Sequence, residues 1–141
     1  MGNLEGGQYE RSVRTRALAR SRITLGFTGA YVALNQEGLT DPRLNSAIDR
    51  AIRNGLVSQD GYADLFEADL IISAEDNRHA VIEVSITADE DDINRAKTRA
   101  GIMAAITEGA VTPVVITSRL NPAQEAQAEA AGVATFVMPY P

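Results

Sequence analysis

Two hydrophobic periods divide this chain. Over residues 4–22 the apolar positions recur at helical spacing. Tyr9, Val13 and Ala17 share one stripe, Glu10 flanks it, and Arg11, Arg14 and Arg22 gather on the opposite side. This predicts a helix with Glu10 turned inward and those arginines outward. Residues 23–61 are less regular. A glycine-punctuated apolar stretch ends in Tyr31-Val32-Ala33-Leu34, and Asp41-Pro42 then supplies an N-cap and a first-turn proline. Leu44, Ile48, Ala51 and Ile52 follow at helical spacing, with Asn54-Gly55 as the stop, so a short helix is expected there.

From Asp69 the period changes. Leu70-Ile71-Ile72 and the run from Ala80 to Ile86 are β-rich and separated by the polar turn Glu75-Asp76-Asn77-Arg78, which predicts a hairpin. Asp89, Glu90, Asp91 and Asp92 place negative charge at the start of a long helix expected to reach Glu108 and stop at Gly109. That cluster is read first as a helix start and second as a metal site. Residues 112–117 form a further strand. Asn121-Pro122 opens a helix with Ala123, Ala126 and Ala130 on one face, Gly132 closes it, and residues 133–138 form a last strand before Pro139-Tyr140-Pro141. Strands alternating with helices predict an α/β fold, a central mixed sheet flanked by helices, with parallel pairing after Glu83.

The length of 141 residues fits one domain over 1–141, with a helical N-terminal part over 1–60 and a core over 69–138. With 45% apolar and 23% charged residues, the composition is that of a chain able to bury a core. The absence of cysteine excludes disulfides and cysteine-bound metals, and no apolar run is long enough for a membrane span or a secretory signal. A cytoplasmic protein without membrane association is expected. The net charge of −6 opposes non-specific coating of nucleic acid. It is unevenly spread, because residues 1–30 carry five arginines against two glutamates. Arg11, Arg14 and Arg22 therefore form a local candidate surface for DNA, beside the simpler reading of a solvated helix face.

In the strand at 80–86, Val81, Glu83 and Ser85 point to one face and Ile82, Val84 and Ile86 to the other. An ionised carboxylate inside an apolar strand needs a cation, a donor-rich pocket or water. The hairpin brings Asp69 beside Glu83, so the two are candidate ligands of one hard divalent cation, Mg²⁺ or Mn²⁺. Such an ion binds a scissile phosphate and acidifies an attacking water. His79, the sole histidine, begins the same strand ~13 Å from Glu83 and is expected to be structural.

At these residues the chain resembles the PD-(D/E)XK nuclease superfamily, in which an acid on one strand and an E-x-K element on the next surround the metal. The matching stretches are Ala68-Asp69-Leu70-Ile71-Ile72 and Ile82-Glu83-Val84-Ser85. The chain is similar, more narrowly, to a bacterial group of such domains with V-E-V-S-x-T, an acidic helix start and an R-A-x-x-R-A helix. Those positions read Ile82-Glu83-Val84-Ser85-Ile86-Thr87 and Arg95-Ala96-Lys97-Thr98-Arg99-Ala100 here, and residues 4–10 resemble the group's opening helix.

The resemblance implies a restriction-endonuclease-like core and Mg²⁺-dependent DNA hydrolysis. It also implies metal ligation by Asp69 and Glu83, assistance from Glu10, and a position C-terminal to a coiled coil in a longer protein. Ser85 stands where the lysine of E-x-K is expected and brings no positive charge. The chain's single lysine, Lys97, lies about 40° from Ile93 on the helical wheel, on the stripe expected to face the sheet, and is the candidate displaced lysine. Arg95 and Arg99 are expected to point away. A degenerate, non-catalytic nucleic-acid-binding or assembly module on the same fold is the alternative. Ile102 and Ile106 form a second apolar strip, expected to meet another part of the chain or a second copy in a homodimer.

Overall fold

The computed structural model describes the backbone of residues 2–139 and the side chains of residues 7–139. Each strand segment rich in β-branched residues pairs with its chain neighbour, so the sheet order β1-β2-β3-β4-β5 follows the sequence. The strands are β1 (Tyr31–Asn35), β2 (Leu70–Ser73), β3 (Arg78–Thr87), β4 (Ala110–Arg119) and β5 (Ala134–Val137). β1, β2 and β3 pair antiparallel, whereas β4 and β5 add in parallel. Helices α4 (Glu90–Thr107) and α5 (Pro122–Ala131) supply the two crossovers that parallel pairing requires. The expected mixed α/β sheet flanked by helices is therefore observed. Among the described residues no helix is long and apolar enough to cross a membrane.

Strand alternation builds two cores. Leu70, Ile72, Ile82, Val84, Val114 and Ile116 meet helix α1 (Gly2–Thr24) through Tyr9, Val13 and Ala17. On the other face, Ile71 and Val81 meet helices α2 (Pro42–Arg53), α3 (Gln59–Leu65) and α4, and Val115 packs with Ile93, Ala96 and Ala128. The Tyr9 hydroxyl, buried in the first core, donates to the Met138 carbonyl at 2.7 Å and ties α1 to the chain beyond β5. Desolvation pushes that phenol up to about 12, so it remains a donor.

Several expectations change in detail. The 23–61 region contains a strand, β1, and an additional helix, α3, capped by the Ser58 hydroxyl on the Gly61 N–H. Helix α4 stops at Thr107 and its left-handed residue is Glu108 (φ 55°), not Gly109. Gly109 is needed for a different reason: a Cβ there would stand 2.2 Å from the Asn77 carbonyl. On α5 the buried alanine is Ala128, whereas Ala123, Ala126 and Ala130 are exposed. Ile106 is buried beneath α2 and Ile102 partly so, which makes the second apolar strip an internal contact of this chain. The expected end at Pro139-Tyr140-Pro141 lies, beyond Pro139, outside the described residues, as do the side chains of residues 4–6.

Candidate functional site

β3 runs beyond β2, and this length difference creates the site. Leu70 is opposite Ile82 and Ile71 opposite Val81. Continuing that register one step past the end of β2 places Asp69 opposite Glu83, and residues opposite each other in an antiparallel pair share a face. At the next step β3 loses its β2 partner, and the Val84 N–H donates instead to Asp69 Oδ2 at 2.8 Å. Asp69 thus completes the ladder with its side chain. Gln36 holds the approach to Asp69 by donating from Nε2 to the carbonyls of Phe66 and Ala68.

Glu83 is only 3% exposed and projects towards α4. Its partner there is Arg99. Arg99 Nη1 donates to Glu83 Oε1 at 2.7 Å and to the Glu67 carbonyl at 3.3 Å, and Nη2 donates to Asp64 Oδ1 at 3.2 Å. Arg95 Nε lies 3.7 Å from the same Glu83 oxygen while its Nη2 donates to Asp92 Oδ1 at 2.5 Å. Glu83 Oε2 and Arg99 Nε are buried without a hydrogen-bond partner. Burial and then the Asp69 charge push the Glu83 carboxyl up to about 7, against the opposing pull of Arg99 and Arg95. Burial also raises Asp69, partly offset by the Val84 hydrogen bond and nearby arginines.

Helix α1 brings a further acid to this edge. Burial raises the Glu10 carboxyl, and the Asp69 charge adds to the shift. Arg14, expected outside, instead turns to this region and pairs with Glu10 at 3.7 Å and Glu37 at 3.2 Å. Arg11 and Arg22 are exposed as expected.

The expected positions of the helix cations are reversed. Lys97 is exposed, and Arg99, expected to point away, is buried. The sheet-facing stripe of α4 is Ile93, Ala96, Ala100 and Met103, with Asp92, Arg99 and Ile106 beside it. Reading Lys97 into that stripe in place of Ala96 and Met103 turns the helix by about half a residue step, ~50°. The usable signal was Glu83 itself, since a carboxylate inside a covered strand requires a cation from its covering helix. The Ser85 hydroxyl is spent on the Thr87 carbonyl at 2.8 Å. Asp89 and Asp92 cap α4 reciprocally: the Asp92 N–H donates to Asp89 Oδ1 at 2.9 Å and the Asp89 N–H to Asp92 Oδ2 at 3.0 Å.

Among the described residues no group of three His, Cys, Asp or Glu side chains is disposed to hold a metal ion. Asp69 and Glu83 offer two carboxylates, and Mg²⁺ commonly binds protein through one or two carboxylates together with waters and substrate phosphate. The unpartnered Oε2 and the proton-retaining character of both acids fit a cation, which would take the place of those protons. Chemically, the site combines a carboxyl that titrates near neutrality, a second acid opposite it, and two guanidinium groups. No protein-family model, curated protein or solved structure matches this chain.

Proposed function

We propose that this chain is a divalent-cation-dependent phosphodiester hydrolase domain of the PD-(D/E)XK type acting on DNA. The carrying observation is the placement of Asp69 opposite Glu83 with Glu83 Oε2 buried and unpartnered. Asp69 and Glu83 would hold Mg²⁺ or Mn²⁺, which when bound supplies an acidified water and neutralises phosphate charge. Asp69 also keeps β3 in register through Val84, and Glu10 adds negative charge from α1. Arg99 brings to Glu83 the positive charge absent from Ser85. Arg11 and Arg22 are exposed for backbone phosphates, whereas Arg14 is engaged by Glu10 and Glu37.

A specific observation favours a second reading. Arg99 already neutralises Glu83 at 2.7 Å, so the same geometry suits a non-catalytic module in which an ion pair has replaced the metal. Calorimetric titration of Mn²⁺ and Mg²⁺ at pH 6, in buffers of different ionisation enthalpy, separates the two when combined with cleavage of supercoiled DNA. The hydrolase reading expects saturable binding with proton release, cleavage, and loss of both in Asp69→Ala. Binding without cleavage supports the module, and no binding to the folded protein sinks the cation site altogether.

A further inference from the structure

At the other end of β3, the end remote from Glu83, α2 and α4 leave a cavity of about 140 Å³ against the sheet. Its lining includes Tyr31, Arg43, Arg50, Ser73, Asn77 and His79, and among the described residues no acidic side chain lines it. The floor is a closed hydrogen-bond relay. Asn77 Nδ2 donates to the Thr107 carbonyl at 3.1 Å, which fixes the amide and directs Oδ1 at His79 Nε2, 2.7 Å away. Since that oxygen only accepts, Nε2 carries the proton. Burial favours the neutral imidazole, in which Nδ1 accepts from the Ser73 hydroxyl at 2.6 Å, so both ring nitrogens are used.

The floor is also rigid. Asn77 sits in the left-handed region at φ 63°, where asparagine is among the tolerated residues, and Gly109 lets its carbonyl approach. Among the described residues, the only charges lining the cavity are then guanidinium groups. Arg43 is set in place, with its carbon centre 3.4 Å from the Tyr31 ring centroid and its Nε and Nη2 donating to Asp41 at 2.9 and 3.0 Å. Its Nη1 remains. Arg50 stands seven residues further along α2 on the same face, and its guanidinium has no hydrogen-bond or ion-pair partner among the described residues.

We propose that this cavity binds a phosphoryl anion, gripped by Arg50 and the free edge of Arg43 over the neutral Ser73–His79–Asn77 floor. Guanidinium groups match phosphate oxygens with paired donors, and a cavity of this size, lined by the unpaired Arg50, the free edge of the Asp41-bound Arg43 and no acidic side chain among the described residues, suits a tetrahedral oxyanion. The site is separate from Asp69 and Glu83 and does not rest on their reading as cation ligands.

The test is calorimetric titration of the whole chain with inorganic phosphate and with pyrophosphate at constant ionic strength. Saturable one-site binding of either anion is expected, at least tenfold weaker in Arg50→Ala and within twofold of the parent in Arg20→Ala, which removes an exposed arginine of α1 remote from the cavity. Arg50 is exposed, so its variant should retain the parent's circular dichroism and melting curve. Binding of neither anion would overturn the proposal. So would an equal loss in Arg50→Ala and Arg20→Ala, because that is the behaviour of diffuse surface charge.

Discussion

The two faces of β3 meet the problem of burial differently, although their residues alternate along one strand. Towards α1, Ile82 and Val84 join an apolar core whose buried Tyr9 hydroxyl has a direct backbone acceptor. Towards α4, the same alternation presents Val81 and then Glu83, and the apolar packing is interrupted by an ion network running from Glu83 through Arg99 to Asp64. The first face is closed by shape and neutral hydrogen bonds. The second needs matched charges whose desolvation opposes folding, and such an arrangement is costly to half-remove. That interruption is the feature on which the functional reading proposed for the α4 face rests.

The largest way to break this contrast is Arg99→Ala. It leaves Glu83 buried without its 2.7 Å partner, and breaking a buried pair from one side costs ~3–5 kcal/mol. Urea denaturation at pH 8 should show that loss. At pH 5 the loss should be smaller, because the Glu83 carboxyl then holds a proton with or without the guanidinium and no buried anion is left unpaired. Arg99→Met combined with Glu83→Gln should recover most of the stability. An Arg99→Ala variant as stable as the parent at pH 8 would show that the network is incidental.

The pH profile of the parent protein sharpens the same comparison. Folding raises the Glu83 carboxyl to about 7 from a value near 4.5, so between those values the folded chain holds a proton that the unfolded chain has released. Stability from this group is therefore full below the unfolded value and declines as pH rises through about 7. The decline is on the order of 3 kcal/mol from a shift of this size. Denaturation at pH 5 and pH 8 should reveal it, and Glu83→Gln should reduce it to the part that the raised Asp69 and Glu10 carboxyls supply. In the apolar core on the α1 face Tyr9 titrates far above this window, whereas the raised carboxyls of Glu10 and Asp69 at the sheet edge add falls of the same sign.

Much of this architecture was legible because periodicity reports directly on a buried stripe. The α1 stripe of Tyr9, Val13 and Ala17, the hairpin from β2 to β3 and the alternating crossovers were all readable that way. The Asp69–Glu83 pairing was legible too, since hairpin register makes them neighbours. Arg99 was not, because arginine weighs as polar in any hydrophobic pattern and its burial depends on a carboxylate in another element. On α5 the abundance of alanine blurred the face, and Ala128 is distinguished only by what packs on it. β1 and α3 escaped because residues 23–61 are rich in turns, and their structure depends on partners far along the chain. Gln36, which reaches across to the Phe66 and Ala68 carbonyls, shows how distant those partners are.

On the α1 face the corresponding cut is smaller. Tyr9→Phe keeps the ring in its core and removes the donor to the Met138 carbonyl, at a cost of about 1–2 kcal/mol for a buried acceptor left unpaired. Unlike Arg99→Ala, this loss should be the same at pH 5 and pH 8. A pH-dependent loss would mean that the two faces are electrostatically coupled through the sheet edge, where Glu10 and Asp69 meet.

Lys97→Ala should have the smallest effect, and its smallness is informative. Lys97 is two residues from Arg99 on α4, and a one-residue rotation of that helix would exchange which of them faces the sheet. With Lys97 exposed, its truncation should move stability by less than ~0.5 kcal/mol and leave cation affinity within twofold of the parent. A larger loss from Lys97→Ala, paired with tolerance of Arg99→Ala, would mean that α4 sits turned and that lysine serves Glu83. The two truncations thus fix the helix orientation by function alone, since only one of the two cations can occupy the space above Glu83.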